Sequence, residues 1–357
     1  MIPPNATAKP ARVLFLADSG PEIGGGHLMR CLTLAGALQA HGAVCAFVTR
    51  PDAAKVLEVF AGPEVVRLIA AGGDAQVLAR QAEVLAADWD ADAVVVDHYG
   101  LNAYHEGRLR AGGRRIVVID DLADRRHDCD LLMDATPGRT PQDYRALLPA
   151  AAVVLTGPGH ALLRPPFAAA REGALARRGG QGPARRVLVS LGLTDVRGIT
   201  GRVFHLIRPA LGDLELDIVL GRSAASLTWL QQLSTENPRI RVHVETAGMA
   251  RLMTDADLAI GAGGSSTWER ACLGLAAIDL ILADNQRAVA LDLDRQGATL
   301  AIEVQGDGFA QRMTTAFARL TAESDLRTAL SRTSAALCDG LGAGRTAEAV
   351  MALVSQD

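Results

Sequence analysis

The stretch "VLFLADSGPEIGGGHLMRCLTLAGAL", residues 13–38, decides the fold. Five apolar residues run into a turn that ends in Gly24, Gly25 and Gly26. An apolar-periodic segment follows, with Leu28, Cys31, Leu32, Ala35 and Leu38 on one face. A buried strand, a glycine-rich turn and an amphipathic helix form the opening unit of a doubly wound α/β domain. Such turns usually cradle a phosphate. This one delivers an imidazole, His27, at the head of the helix.

The alternation continues outward. "AVCAFVT", "EVVRLIA", "ADAVVVD", "RRIVVID" and "AAVVLTG" read as further near-continuously apolar parallel strands with helical stretches between them. Residues 1–170 therefore read as one Rossmann-like domain. Residues 171–184, "REGALARRGGQGPA", are basic, glycine-rich and aperiodic, and read as a linker. A second series follows: "RRVLVSLG", "LELDIVLG", "RIRVHV", "ADLAIGAGG", "AAIDLILA" and "ATLAIEV". It makes residues 185–340 a second Rossmann-like domain. The tail, 341–357, reads as a C-terminal helix that crosses back to the first domain. Two doubly wound domains facing each other across a cleft bind ligands at the carboxyl ends of their strands.

Composition sets the bounds. A chain of 357 residues exceeds one ordinary core. A net charge of −4 gives no basic excess for a nucleic-acid partner. No apolar run approaches the about 20 residues of a membrane-spanning helix. The start, "MIPPNATAKPAR", lacks the apolar core of a secretory signal. The five cysteines are odd in number and form no CxxC pair. They read as reduced, buried thiols of a cytoplasmic protein and give no support to a zinc site.

Several residues invite chemistry, each with a plainer alternative. At a helix start the positive dipole end disfavours an imidazolium, so His27 suits a general base; it also suits a capping or core-edge histidine. "VVVDHYG" (94–100) ends a strand with Asp97, His98 and Tyr99. "IGAGGSSTWE" (260–269) ends a strand in glycines and opens a helix with Ser265, Ser266 and Glu269. Its backbone amides fit a diphosphate and its carboxylate fits a ribose, or it is an ordinary βα turn with a capping glutamate. "SLGLTD" (190–195) offers Gly192 and Thr194 as a second phosphate loop, or a plain turn. "ADNQ" (283–286) sets Asn285 and Gln286 after a strand, as sugar or phosphate ligands or as a polar turn. In the acidic segment 119–138, Asp120, Asp121 and Asp124 read as a Mg²⁺ site or as a cap with an Asp124–Arg125 pair.

Taken in order, "IGGGHLMRCLTLA", "DHYG", "DDLADRRHDCDLL", "ALLRPPF", "GMARLMTDADLAIGAGGSSTWERACLGL" and "ADNQ" resemble one family. It is the UDP-2,4-diacetamido-2,4,6-trideoxy-β-L-altrose hydrolases of pseudaminic acid biosynthesis, which serve flagellin or surface glycan modification. The resemblance runs from about residue 12 to about 300. It implies a GT-B-like fold akin to MurG, whose transferases carry a longer glycine loop. It implies His27 as catalytic base, water attack at the anomeric carbon with C–O cleavage, UDP as leaving group, and no cofactor. Gly25, Gly26 and Tyr99 would line the sugar side. Gly192, Thr194, Gly264, Ser265 and Ser266 would take the diphosphate and Glu269 the uridine ribose. Asn285 and Gln286 would contact sugar or phosphate, and Thr246 to Leu252 would flank the uracil. The chain departs from the family at Leu193, Asp134, Pro166 and Ala277, which points also to a related diacetamido sugar. A leucine at 193 would crowd a phosphate loop if its φ were positive. The rival readings are an inverting glycosyltransferase and a non-enzymatic nucleotide-sugar binder.

Overall fold

A computed structural model describes residues 9–17, 26–50, 57, 61–70, 73–179 and 182–355. The chain divides into two units, one of Met1–Leu162 with Gly342–Asp357, the other of Leu163–Leu341.

Among the described residues the first unit is built on seven parallel strands. These are β1 (Arg12–Ala17), β2 (Val44–Thr49), β3 (Val66–Ile69), β4 (Ala93–Asp97), β5 (Arg115–Ile119), β6 (Leu131–Asp134) and β7 (Val153–Thr156). Their order is β3-β2-β1-β4-β5-β6-β7, so the order of winding reverses between β1 and β4. The central strands are apolar throughout because both faces are covered. Val13, Phe15, Val95 and Val117 pack with Leu28, Leu34 and Leu38 of the Gly26–Ala40 helix. Leu14, Leu16, Val94 and Val96 pack on the other face with Leu78 and Ala82 of the Ala75–Asp88 helix.

Strand β6 was not among the expected elements. It has four residues, "LLMD", inside a segment crowded with acids, and so gives too short an apolar run to stand out. The C-terminal helix, Gly342–Val354, belongs to the first unit and places Ala347 and Val350 in the core under the Gly26–Ala40 helix.

The second unit has six parallel strands, β8 (Arg186–Ser190), β9 (Glu215–Leu220), β10 (Ile240–Val244), β11 (Leu258–Ala262), β12 (Ala277–Ile281) and β13 (Leu300–Glu303). The order is β10-β9-β8-β11-β12-β13, with the reversal between β8 and β11. All six expected runs form these strands. Val187, Val189, Ile218, Ile260, Ile278 and Leu280 build the core with Phe309, Met313 and Phe317.

The linker expectation needs correction over residues 171–178. They are the second half of a helix, Pro165–Arg178, that starts with proline where a missing amide costs nothing. Its closing arginines are struts, not solvated linker charge. Arg178 donates to the carbonyls of Leu273, Met253 and Ala256. Among the described residues no helix is long and apolar enough to cross a membrane. All five cysteines are buried and unpaired by disulfides.

Candidate functional site

In the first unit the site residues gather where the sheet reverses. β1 and β4 are neighbours, with Ala17 opposite Asp97. The helix that follows β1 and the end of β4 therefore meet. His27, second residue of that helix and 5% exposed, sets Nδ1 2.6 Å from Asp97 Oδ1. Arg30, one turn on, donates from Nε to Asp97 Oδ2 at 2.6 Å and from a terminal nitrogen to Oδ1 at 2.5 Å. Its other nitrogen reaches Asp121 at 3.0 Å.

Burial alone pushes the Asp97 carboxyl up, but Arg30 and then His27 outweigh it and hold it well below the usual range. Arg30 also brings a terminal nitrogen to 3.1 Å from Nδ1, but the ionised Asp97 is nearer at 2.6 Å, and an Nδ1–H that donates to it leaves the imidazole lone pair on Nε2. The Tyr99 ring stands edge-on to His27, centroids 4.7 Å apart and planes at 90°. Cys31 lies 3.5 Å from Asp97, and its burial pushes the thiol up so that it stays protonated. Gly26 is the first residue of the helix. Gly25 lies outside the described residues.

Sequence reading gave His27 a helix terminus. The structure adds a buried carboxylate held by an arginine. Asp97 read as part of a polar cluster at a strand end, at a cleft position or as a common strand ending, and Arg30 only as a letter of the motif.

The acidic segment is a polar network. The Tyr144 hydroxyl is 2.8 Å from both Asp120 and Asp134. Arg125 pairs with Asp120 at 2.8 Å and with Asp124 at 3.1 Å, and Arg139 with Asp134 at 2.7 Å. The carboxylates are thus engaged by arginines and a phenol. Among the described residues no three His, Cys, Asp or Glu are grouped to hold a metal ion.

In the second unit three expected segments follow three adjacent strands, β8, β11 and β12. After β11 the amides of Gly264, Ser265 and Ser266 make no backbone hydrogen bond among the described residues, while Thr267 and Trp268 bond back to Gly264 and Ser265. Three consecutive donors are left for a ligand. The Ser266–Cys272 helix has only seven residues, and Ser265 stands at its cap without a side-chain bond.

The turn is fixed from beneath. Arg270, 2% exposed, donates to Asp279 at 2.6 Å, to Ala262 O at 2.9 Å and to the Ser266 and Thr267 hydroxyls. Gly261 is required there, because a Cβ would press into the Arg270 guanidinium.

Glu269 has an ion-pair partner at 3.5 Å, Arg164, which heads the Pro165–Arg178 helix. Burial raises the Glu269 pKa, and Arg164 opposes it without prevailing. Gln286 accepts from the Leu282 amide at 3.0 Å and flanks Gly264. Asn285 is the exposed second residue of the Asp284–Arg295 helix.

After β8, Gly192 carries the positive φ of 99°, so Leu193 does not strain the turn. Leu193 and Thr194 are exposed. Asp195 is spent on structure, accepting from the Thr200 and Ser226 amides at 2.8 and 2.9 Å. Sequence reading missed Arg30, Asp97, Arg164, Arg270 and Asp279 as supports. An arginine one turn into each glycine-led helix was the available signal.

No protein-family model matches the chain. Over 206 residues it is 27% identical to the spore coat polysaccharide biosynthesis protein SpsG of Bacillus subtilis, a match spanning 57% of this chain and 60% of that protein. Over 289 residues it is 23% identical to the UDP-2,4-diacetamido-2,4,6-trideoxy-beta-L-altropyranose hydrolase of Campylobacter jejuni, spanning 80% of this chain and 97% of that one. In three dimensions it resembles MurG of Acinetobacter baumannii, with a TM-score of 0.67 at 16% identity, covering 96% of this chain and 100% of that one. The fold is therefore a pair of Rossmann-like α/β units with GT-B glycosyltransferases as structural neighbours.

Proposed function

We propose that the chain is a hydrolase that releases UDP from UDP-2,4-diacetamido-2,4,6-trideoxy-β-L-altrose or a closely related diacetamido sugar. The observation that carries this reading is the His27–Asp97 pair at 2.6 Å, with Arg30 holding the carboxylate ionised. It is a base with a fixed tautomer, and hydrolysis needs a base for water. The similarity to the Campylobacter jejuni hydrolase, spanning 97% of that protein, supports the substrate class.

Each group has a role. Nε2 of His27 takes a proton from water as the oxygen attacks the anomeric carbon. The anomeric C–O bond breaks, and UDP leaves with the bonding electrons. Asp97 stabilises the imidazolium that forms. The Gly264, Ser265 and Ser266 amides receive the diphosphate charge. Glu269 accepts from the ribose hydroxyls, which requires the 3.5 Å contact with Arg164 to yield. Gly26, Tyr99, Gly192, Thr194, Asn285 and Gln286 line the sugar and phosphate.

The test is incubation with that UDP-sugar, without acceptor and with EDTA, following UDP by chromatography. Wild type releases UDP, and His27→Ala loses roughly 10²–10⁴-fold of the rate. A second reading, an inverting glycosyltransferase, draws on the glycosyltransferase neighbours. UDP binding without release until an acceptor is supplied would decide for it and against the hydrolase.

A further inference from the structure

The second unit contains a cavity of about 300 Å³ that none of these roles uses. It lies at the opposite edge of the sheet from the glycine turn. Arg185 precedes β8 and Asp257 precedes β11, whereas Gly263 and Gly264 follow β11. The five residues of β11 separate the two edges by about 17 Å.

The lining is cationic. Arg177, Arg178, Arg185 and Arg327 face it, against one carboxylate, Asp257. That carboxylate is already engaged by Arg177 at 2.6 Å and by the Arg185 and Arg186 amides. Arg178 and Arg327 are each held by main-chain carbonyls alone. Arg178 donates to Leu273 and Ala256, and Arg327 to Leu320, Thr321 and Gly182. Carbonyls orient a guanidinium but do not neutralise it. Nε of Arg178 is buried with no partner. The Arg185 guanidinium makes no ion pair or hydrogen bond among the described residues. Ser331, 8% exposed, also lines the cavity, and its hydroxyl bonds to no described residue.

Two guanidiniums held by carbonyls, whose nearest carboxylate, Asp257, is already engaged by Arg177 and two amides, therefore converge with one free guanidinium and one free hydroxyl on one space. We propose that this cavity binds a phosphate or diphosphate group, at a site separate from the glycine turn. Such an anion supplies the missing counter-charge and joins the Pro165–Arg178 helix to the Ser324–Leu337 helix. Burial and then Arg177 outweigh the pull of Asp257 and lower the Arg178 pKa to about 10, which leaves it cationic at neutral pH.

The test is calorimetric titration of the full chain with inorganic phosphate and with pyrophosphate, at constant ionic strength. Arg185→Glu and Ser331→Ala are the variants, because neither side chain holds a bond whose loss would disturb the fold. Wild type binds saturably, and Arg185→Glu binds about tenfold more weakly. Ser331→Ala binds several-fold more weakly with no change of charge. At about 0.15 M salt, screening over about 8 Å makes a charge reversal 17 Å from the glycine turn ineffective there, so a tenfold loss is local to the cavity. Wild-type affinity in Arg185→Glu, or no saturable uptake by wild type, overturns the proposal.

Discussion

Replacing Asp97 by Asn tests whether a buried ion pair sets the state of His27 and stabilises the first unit. The Asp97 side chain is 1% exposed and that of Arg30 18%. Removing one partner of a buried pair typically costs about 3–5 kcal/mol. Asn keeps the size and one acceptor, and Arg30 keeps Asp121 at 3.0 Å, so the lower end applies, about 3 kcal/mol. At about 2–4 °C per kcal/mol, the first unit's calorimetric transition falls by about 6–12 °C.

The pH dependence has a definite sign. Asp97 titrates lower when folded than in the unfolded chain, where the value is about 3.9. Its contribution is complete above about pH 4 and declines as pH falls further, by about 1.4 kcal/mol per unit. The gap between wild type and variant therefore narrows as pH falls from about 4 to about 3. An amide can also donate to Nδ1 and move the imidazole proton to Nε2, so turnover falls by roughly 10²–10⁴-fold. A variant that melts within about 1 °C of wild type at neutral pH refutes the ion-pair argument. Unchanged turnover refutes the role of the carboxylate in setting the tautomer.

Three further outcomes follow from the geometry. Glu269→Gln removes a carboxylate whose pKa burial raises, so it stabilises the second unit above about pH 4 and not below, while UDP affinity drops about tenfold; scanning calorimetry and titration with UDP read both. Gly261→Ala drives a methyl into the Arg270 guanidinium, which Asp279 and Ala262 hold in place, and costs about 1–3 kcal/mol in urea unfolding. Tyr144→Phe removes the hydroxyl that bridges Asp120 and Asp134 and costs about 1–3 kcal/mol, a loss that a matched urea titration of the variant would measure.

Parallel strands write themselves as apolar runs, most fully where both faces are covered, and twelve of the thirteen strands among the described residues were legible. The exception, "LLMD", has only four residues, and its last is the Asp134 that Tyr144 needs. The linker reading failed on composition. Arginines and glycines suggested a flexible tether, but Arg178 spends its donors on carbonyls of the second unit. The glycine turns were visible as glycine runs directly after apolar strands, a pattern that an ordinary βα turn shares. Their supports were not, because His27 and Asp97 stand 70 residues apart and only strand order brings them together.

The two glycine-led helices share one device. Each starts after a strand near its sheet's reversal point, at Gly26 after β1 and at Ser266 after β11. In each, the fifth helical residue is an arginine, Arg30 or Arg270, that reaches an aspartate on a neighbouring strand, Asp97 on β4 or Asp279 on β12. In each, that aspartate also meets the second helical residue, His27 at 2.6 Å or Thr267 at 3.4 Å. The clasp fixes the first turn of each helix. The electrostatics then diverge. Asp279 faces one cation in a dry setting, and burial lifts its carboxyl above the usual value despite Arg270. Asp97 has both Arg30 and His27 and stays ionised. A threonine in the second position leaves the clasp structural. An imidazole there would make the same clasp an oriented base, so the chemistry proposed for His27 needs no new architecture, only a different side chain in a position the fold already holds rigid.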